Sequence, residues 1–138
     1  MGQTVDELNR PTVLVADDHG LMLNTVVRLL STEFNVVAAL LDGRAAVAAV
    51  LRHAPDVVVL DIAMPGLSGI AAARGLKQGG SHAHFVFITM HHDPDYVRES
   101  LALGTVAFVV KDRLASDLLV AVHEVLAGRS FVAPFVAR

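Results

Sequence analysis

The sequence predicts an α/β fold: a doubly wound (βα)5 unit whose five-stranded parallel sheet is covered by helices on both faces. Three observations carry this. Five short apolar runs recur along the chain. Most are continuously apolar rather than alternating, which marks strands buried on both faces. The longer stretches between them repeat their apolar residues at helical spacing. Strands that alternate with helices give a layered sheet, and right-handed crossovers restrict its topology. A common order for five such units is 2-1-3-4-5.

The strand runs are 13–16, 36–40, 57–60, 85–88 and 107–110. Leu23, Val26, Val27 and Leu30 mark the first helix, and Val47, Val50 and Leu51 the second. Ile70, Ala73 and Leu76 form a weaker stripe in an Ala-rich third. Val97 and Leu101 mark a fourth, ended by Gly104. Leu114, Leu118, Leu119, Val122, Val125 and Leu126 mark a fifth, ended by Gly128. Arg28, Arg52, Arg98 and Glu124 fall on the wet sides. Residues 1–11 read as a polar tail, 12–128 as the folded domain and 129–138 as the start of a linker.

Composition narrows the chemistry. The chain has 138 residues, enough for one domain, and 54% are hydrophobic. There is no cysteine, so no disulfide, thiolate metal site or cysteine nucleophile exists. A reducing, cytoplasmic setting is compatible with that. The formal charge is −3, so no basic nucleic-acid surface is indicated. The apolar runs are too short to span a bilayer, and the polar start lacks a signal-peptide pattern.

In the 2-1-3-4-5 order the ligand crevice lies between the tips of strands one and three. Strand one ends in Asp17-Asp18 and strand three in Asp61, so three carboxylates converge. Crowded acids call for a compensating cation, and an oxygen-only donor set favours Mg²⁺. A carboxylate held there can attack a phosphoryl group and form an acyl phosphate. Thr89 and Lys111, at the tips of strands four and five, offer a hydroxyl and an ammonium for the equatorial oxygens. The Pro65-Gly66-Leu67-Ser68-Gly69 segment predicts a tight loop close to the site.

Those residues together resemble a response-regulator receiver domain. The resemblance rests on the Val15-Ala16-Asp17-Asp18-His19 segment, the Asp61 to Gly69 block, Thr89, and the Gly104 to Asp112 segment with Phe108 and Lys111. It covers about residues 12 to 127. It implies a flavodoxin-like (CheY-like) fold and a set of roles. Asp61 would be the phosphoacceptor, fed by a sensor histidine kinase. Asp17, Asp18, Asp61 and the Ala63 carbonyl would hold Mg²⁺. Thr89 would move toward the phosphoryl group, Lys111 would pair with it, and Phe108 would change rotamer when Thr89 moves. The stretches 109–112 and 127–134 are similar to the NarL/FixJ group, in which a LuxR-type helix-turn-helix domain follows. The chain stops at Arg138, so DNA contact would need a domain absent from it. The linker-like ending suggests excision over a stand-alone regulator that acts by protein contact. Homodimers through helices four and five, or one and five, remain open.

Blander readings stand beside these. Asp17 and Asp18 could merely cap a helix, and Thr89 and Phe108 could be ordinary strand and core residues. His82, His84, His91 and His92 read as loop histidines, and His19 as lining. Ala63 departs from the second acid an aspartyl-phosphate phosphatase would want, so the chain is expected not to be a turnover enzyme. A phosphorylation-independent interaction module is the remaining alternative. A flavin site fails because the acidic 17–21 loop would repel its phosphate. Met90 is larger than the family's usual small residue, and a longer-lived phosphorylated state is expected from it.

Overall fold

The computed structural model describes residues 9–90 and 93–132. Along the chain they form β1 (Thr12–Ala16), α1 (Gly20–Leu30), β2 (Asn35–Leu40), α2 (Gly43–His53), β3 (Val57–Asp61), α3 (Gly69–Gln78), β4 (His84–Thr89), α4 (Pro94–Leu101) and β5 (Val106–Val110). A 3₁₀ turn (Lys111–Arg113), α5 (Leu114–Leu126) and β6 (Phe131–Val132) follow. All the strands pair in parallel, in the order β2-β1-β3-β4-β5-β6.

Successive strand residues point to opposite faces, so one apolar strand feeds two cores. Leu14, Val58, Leu60, Phe87 and Phe108 pack with Ala46 and Val50 of α2 and Ile70, Ala73 and Leu76 of α3. Val13, Val15, Val57, Val59 and Ile88 pack on the other face with Leu23, Val26 and Leu30 of α1 and Leu118, Val122 and Val125 of α5. β3 is buried at every position, as its uninterrupted apolar run requires.

Four expectations need correction or refinement. Among the described residues the sheet has six strands, not five: Phe131 and Val132, placed in the linker above, pair with Ala107 and Phe108. Ser130 Oγ accepts from the Val106 amide at 3.2 Å, and Phe131 packs against the α1–α5 core. Two apolar residues thus found an unpaired strand edge to cover. β2 is only half-buried because it is the opposite edge, despite its apolar run. In α2 the buried stripe is Ala46, Ala49 and Val50, whereas Leu51 is 71% exposed. Small alanines let α2 lie close to the sheet, and this turns Leu51 outward. In α4 only Ser100 is fully buried, and Leu101 is exposed. The folded unit therefore extends at least to Val132, four residues past the expected limit.

Candidate functional site

Each site residue is held by a local reason. The buried β1 and β3 place Asp17 and Asp61 at adjacent tips, since Ala16 pairs with Leu60. The chain after Asp61 must turn at once. The Ile62 amide donates to the Ile88 carbonyl at 3.0 Å, and the Gly69 amide returns to the Ile62 carbonyl at 3.0 Å. Gly66 takes φ +80°, a left-handed conformation that suits glycine. At Gly69 a Cβ would lie 2.4 Å from the Asp61 carbonyl oxygen, so no other residue fits without moving the backbone that carries Asp61. Ser68 caps α3 by accepting from the Ala71 amide.

Asp17 is wholly buried and Asp61 is 2% exposed. Lys111 Nζ donates to Asp61 Oδ2 at 3.1 Å and lies 3.0 Å from Asp17 Oδ2. The second contact is a close ion pair. Asp18 Oδ1 is buried without a hydrogen bond, 3.2 Å from His19 Nδ1. The His19 amide donates to Asp17 Oδ1 at 2.9 Å and the Ala63 amide to Asp61 Oδ1 at 3.2 Å. One ligand atom each of Asp17, Asp18, His19 and Asp61 falls within 4.8 Å of the others.

The electrostatics follow from two buried acids, Asp17 and Asp61, facing one ammonium. Burial, then the charge of Asp17, push the Asp61 carboxyl up from 3.8 to about 6; Lys111 and the Ala63 amide pull the other way. Burial works against the Lys111 charge, but its contacts with Asp17 and Asp61 outweigh that and raise it above 10.5. Buried carboxylate oxygens outside hydrogen-bonding geometry are costly, and the oxygen-rich cluster of Asp17, Asp18 and Asp61 could hold a hard cation.

The family model for the response regulator receiver domain matches residues 13–123. The chain belongs to that family. Among its relatives is the transcriptional regulatory protein NarL of Mycobacterium tuberculosis, 36% identical over 124 residues, or 88% of this chain and 57% of that protein. The receiver thus spans somewhat over half the length of the curated relatives it matches. The solved signal receiver domain of M. tuberculosis NarL superposes with a TM-score of 0.82 at 34% identity, covering 87% of this chain and 98% of that one. The CheX–CheY–BeF₃–Mg²⁺ complex from Borrelia burgdorferi gives 0.77 at 26% identity, over 83% and 87%. The relatives place the receiver in the NarL/LuxR group.

The receiver brings Asp17, Asp18, Asp61 and Lys111 into one cluster, as their order along the chain implied. Thr89 is buried at the tip of β4, one residue past the Asp61 partner Ile88 and opposite Val110. Phe108 lies wholly buried on the neighbouring strand, opposite Phe87. Ala63 is exposed and touches the site through its amide. Met90 is 63% exposed just past Thr89. Among the described residues His82 and His84 join no ligand cluster, while His91 and His92 lie outside them. Sequence reasoning missed the His19 amide on Asp17 and the nearly buried Asp117, which accepts from Arg113 just past Lys111. The i, i+4 spacing of Arg113 and Asp117 in the first turn of α5 was the available signal. No helix among the described residues is long and apolar enough to cross a membrane.

Proposed function

We propose that Asp61 accepts a phosphoryl group, with a Mg²⁺ ion held by Asp17, Asp18, Asp61 and the Ala63 carbonyl. The observation that carries this is the cluster of Asp17, Asp18 and Asp61, in which Asp17 Oδ2 and Asp18 Oδ1 are buried outside hydrogen-bonding geometry and one lysine only partly neutralises the acids. All the carboxylate donors are hard oxygens close enough to share one cation, which suits Mg²⁺. Bound there, the ion supplies positive charge against the crowded acids and the incoming phosphoryl oxygens. The B. burgdorferi complex, named for its BeF₃ and Mg²⁺, supports the same chemistry here.

The protein's own residues do the rest. An oxygen of Asp61 forms the new bond to phosphorus while the donor leaves on the opposite side with the bonding electron pair. The Ala63 amide fixes Asp61 Oδ1 and so leaves Oδ2 as the attacking atom. Lys111 moves from Asp61 Oδ2 to a phosphoryl oxygen, and Thr89 turns its hydroxyl to another. Phe108 follows Thr89 and changes the face around α4, β5 and α5. That α4 buries so little makes it the element most easily shifted.

The donor is a sensor histidine kinase in the cytoplasm. The receiver catalyses its own modification rather than turning over an external substrate. Its relatives are transcriptional regulators longer than this chain. The corresponding output is control of transcription through a LuxR-type helix-turn-helix domain outside these 138 residues. Incubation with Mg²⁺ and acetyl phosphate, followed by intact mass, tests the reading. One added phosphoryl group is expected, absent without Mg²⁺ and absent in Asp61→Asn. A wild-type mass that never changes overturns it.

A further inference from the structure

We infer that Asp117 is a positioning residue for phosphoryl transfer: through Arg113 it holds the turn that carries Lys111. This rests on the reading that Asp61 is phosphorylated beside Lys111. Lys111 leaves the tip of β5, and its target Asp61 stands on β3, two strands away. Two strand spacings are roughly 10 Å, and Lys111 also lies two residues past Val109, which is level with Asp61 through Ile88, so a lysine stem of roughly 6 Å must extend toward the Asp61 carboxylate to close the gap. The ammonium sits 3.1 Å from Asp61 Oδ2. Its reach has little slack, so a displaced turn is felt directly at Nζ.

That turn is poorly secured at its own ends. Neither Val110, before the 3₁₀ turn, nor Arg113, before α5, makes a side-chain cap. The fastening comes from α5 instead. Arg113 Nε donates to Asp117 Oδ2 at 2.9 Å and its Nη2 to Oδ1 at 3.4 Å. The Ser116 hydroxyl lies 3.0 Å from Asp117 Oδ1 and 3.2 Å from the Arg113 carbonyl. Asp117 is only 6% exposed. Stability alone explains such a pair weakly, because the desolvation of a buried carboxylate cancels much of its attraction. What the pair does fix is the direction of Arg113, the last residue of the turn that Lys111 begins. Asp117 touches no reacting atom and acts only through this link.

The test compares the wild type with Asp117→Asn and with Arg113→Ala, which alters a partly exposed side chain and spares the fold. Phosphoryl uptake from acetyl phosphate is followed by intact mass across Mg²⁺ concentrations. Both variants should be slower by about fivefold at saturating Mg²⁺, on the scale a small misplacement costs a transfer step. The Mg²⁺ concentration giving half the maximal rate should not change, because the acids that hold the ion are untouched. Lys77 and Lys111 are the only lysines in the chain. Lysine-selective NMR should therefore show the Lys111 side-chain signal shifting or broadening in both variants while that of Lys77 stays. Unchanged maximal rates with an unmoved Lys111 signal overturn the positioning role while leaving phosphorylation of Asp61 intact. A parallel loss of rate, Mg²⁺ response and melting temperature also overturns it, in favour of a purely structural role. A wild type that takes up no phosphoryl group removes the parent reading, and the inference with it.

Discussion

Asp61→Asn should make the metal-free protein more stable. The substitution swaps a buried carboxylate for a neutral group of the same shape, which can still accept from the Ala63 amide. Asp61 is raised from 3.8 to about 6 by burial and by Asp17. At about 1.4 kcal/mol per tenfold, keeping it ionised near pH 7.5 costs the fold about 3 kcal/mol. Asn relaxes imperfectly beside Lys111, so a gain of about 1–3 kcal/mol is expected. With a urea slope of about 2 kcal/mol/M, a 2 kcal/mol gain moves the midpoint by about 1 M. The sign of the pH dependence follows from the direction of the shift. The folded state holds this proton more tightly than the unfolded chain does. Wild-type stability from this group is therefore fully present below about pH 4 and is lost as pH rises through about 6. The advantage of the variant should accordingly be largest at pH 7.5, shrink between about 6 and 4, and vanish below. Millimolar Mg²⁺ should stabilise the wild type more than the variant and narrow the gap. Urea melts in chelator, at several pH values, decide the matter. Equal stability at pH 7.5, or a gain that persists unchanged at pH 4, would refute the claim that the acids are left in excess.

Three further outcomes are expected. Gly69→Ala should cost roughly 2–4 kcal/mol, because its Cβ must displace the Asp61 carbonyl, and it should slow phosphoryl uptake as well; a variant with a wild-type melt and rate would contradict this. Leu51→Ala should change stability by less than about 0.5 kcal/mol while Leu30→Ala costs roughly 2–5 kcal/mol, since one side chain is exposed and the other wholly buried; comparable losses would misplace the α2 stripe. Met90→Ala should shorten the lifetime of the phosphorylated form, as removing an exposed side chain beside Thr89 opens a path for water. Rapid phosphate loss from the wild type, unchanged in the variant, would dispose of that role.

Most of the sheet was legible because strand burial writes itself into composition. Runs such as 57–60 have no polar face, and only a central parallel strand hides both sides. What periodicity could not tell is how much each face buries. β2 and β3 read alike as apolar runs, yet one lies at the edge and the other at the centre, a difference set by crossovers rather than by residues. Leu51 looked like the end of a helical stripe, but Ala46 and Ala49 allow so close an approach that the buried arc rotates past it. Phe131-Val132 is too short for any pattern to announce. Its pairing with β5 depends on an edge that exists only once the other strands are in place.

The site shows the complementary limit. Side chains at strand tips are fixed by topology, so Asp17, Asp18, Asp61 and Lys111 could be placed from order alone. The supports that aim them are backbone groups and local pairs without any such rule. The His19 amide holds one Asp17 oxygen, the Ala63 amide one Asp61 oxygen, and the Gly69 gap keeps the loop tight against its strand. These supports leave Asp17 Oδ2 and Asp61 Oδ2 facing the same ammonium. A single lysine therefore offsets two buried acids and leaves the partly buried Asp18 beyond its direct contacts. The excess negative charge is what a divalent cation would relieve. On the proposed reading, a cation held by Asp17, Asp18 and Asp61 would offset that charge and would loosen the hold of Asp17 and Asp61 on the Lys111 ammonium.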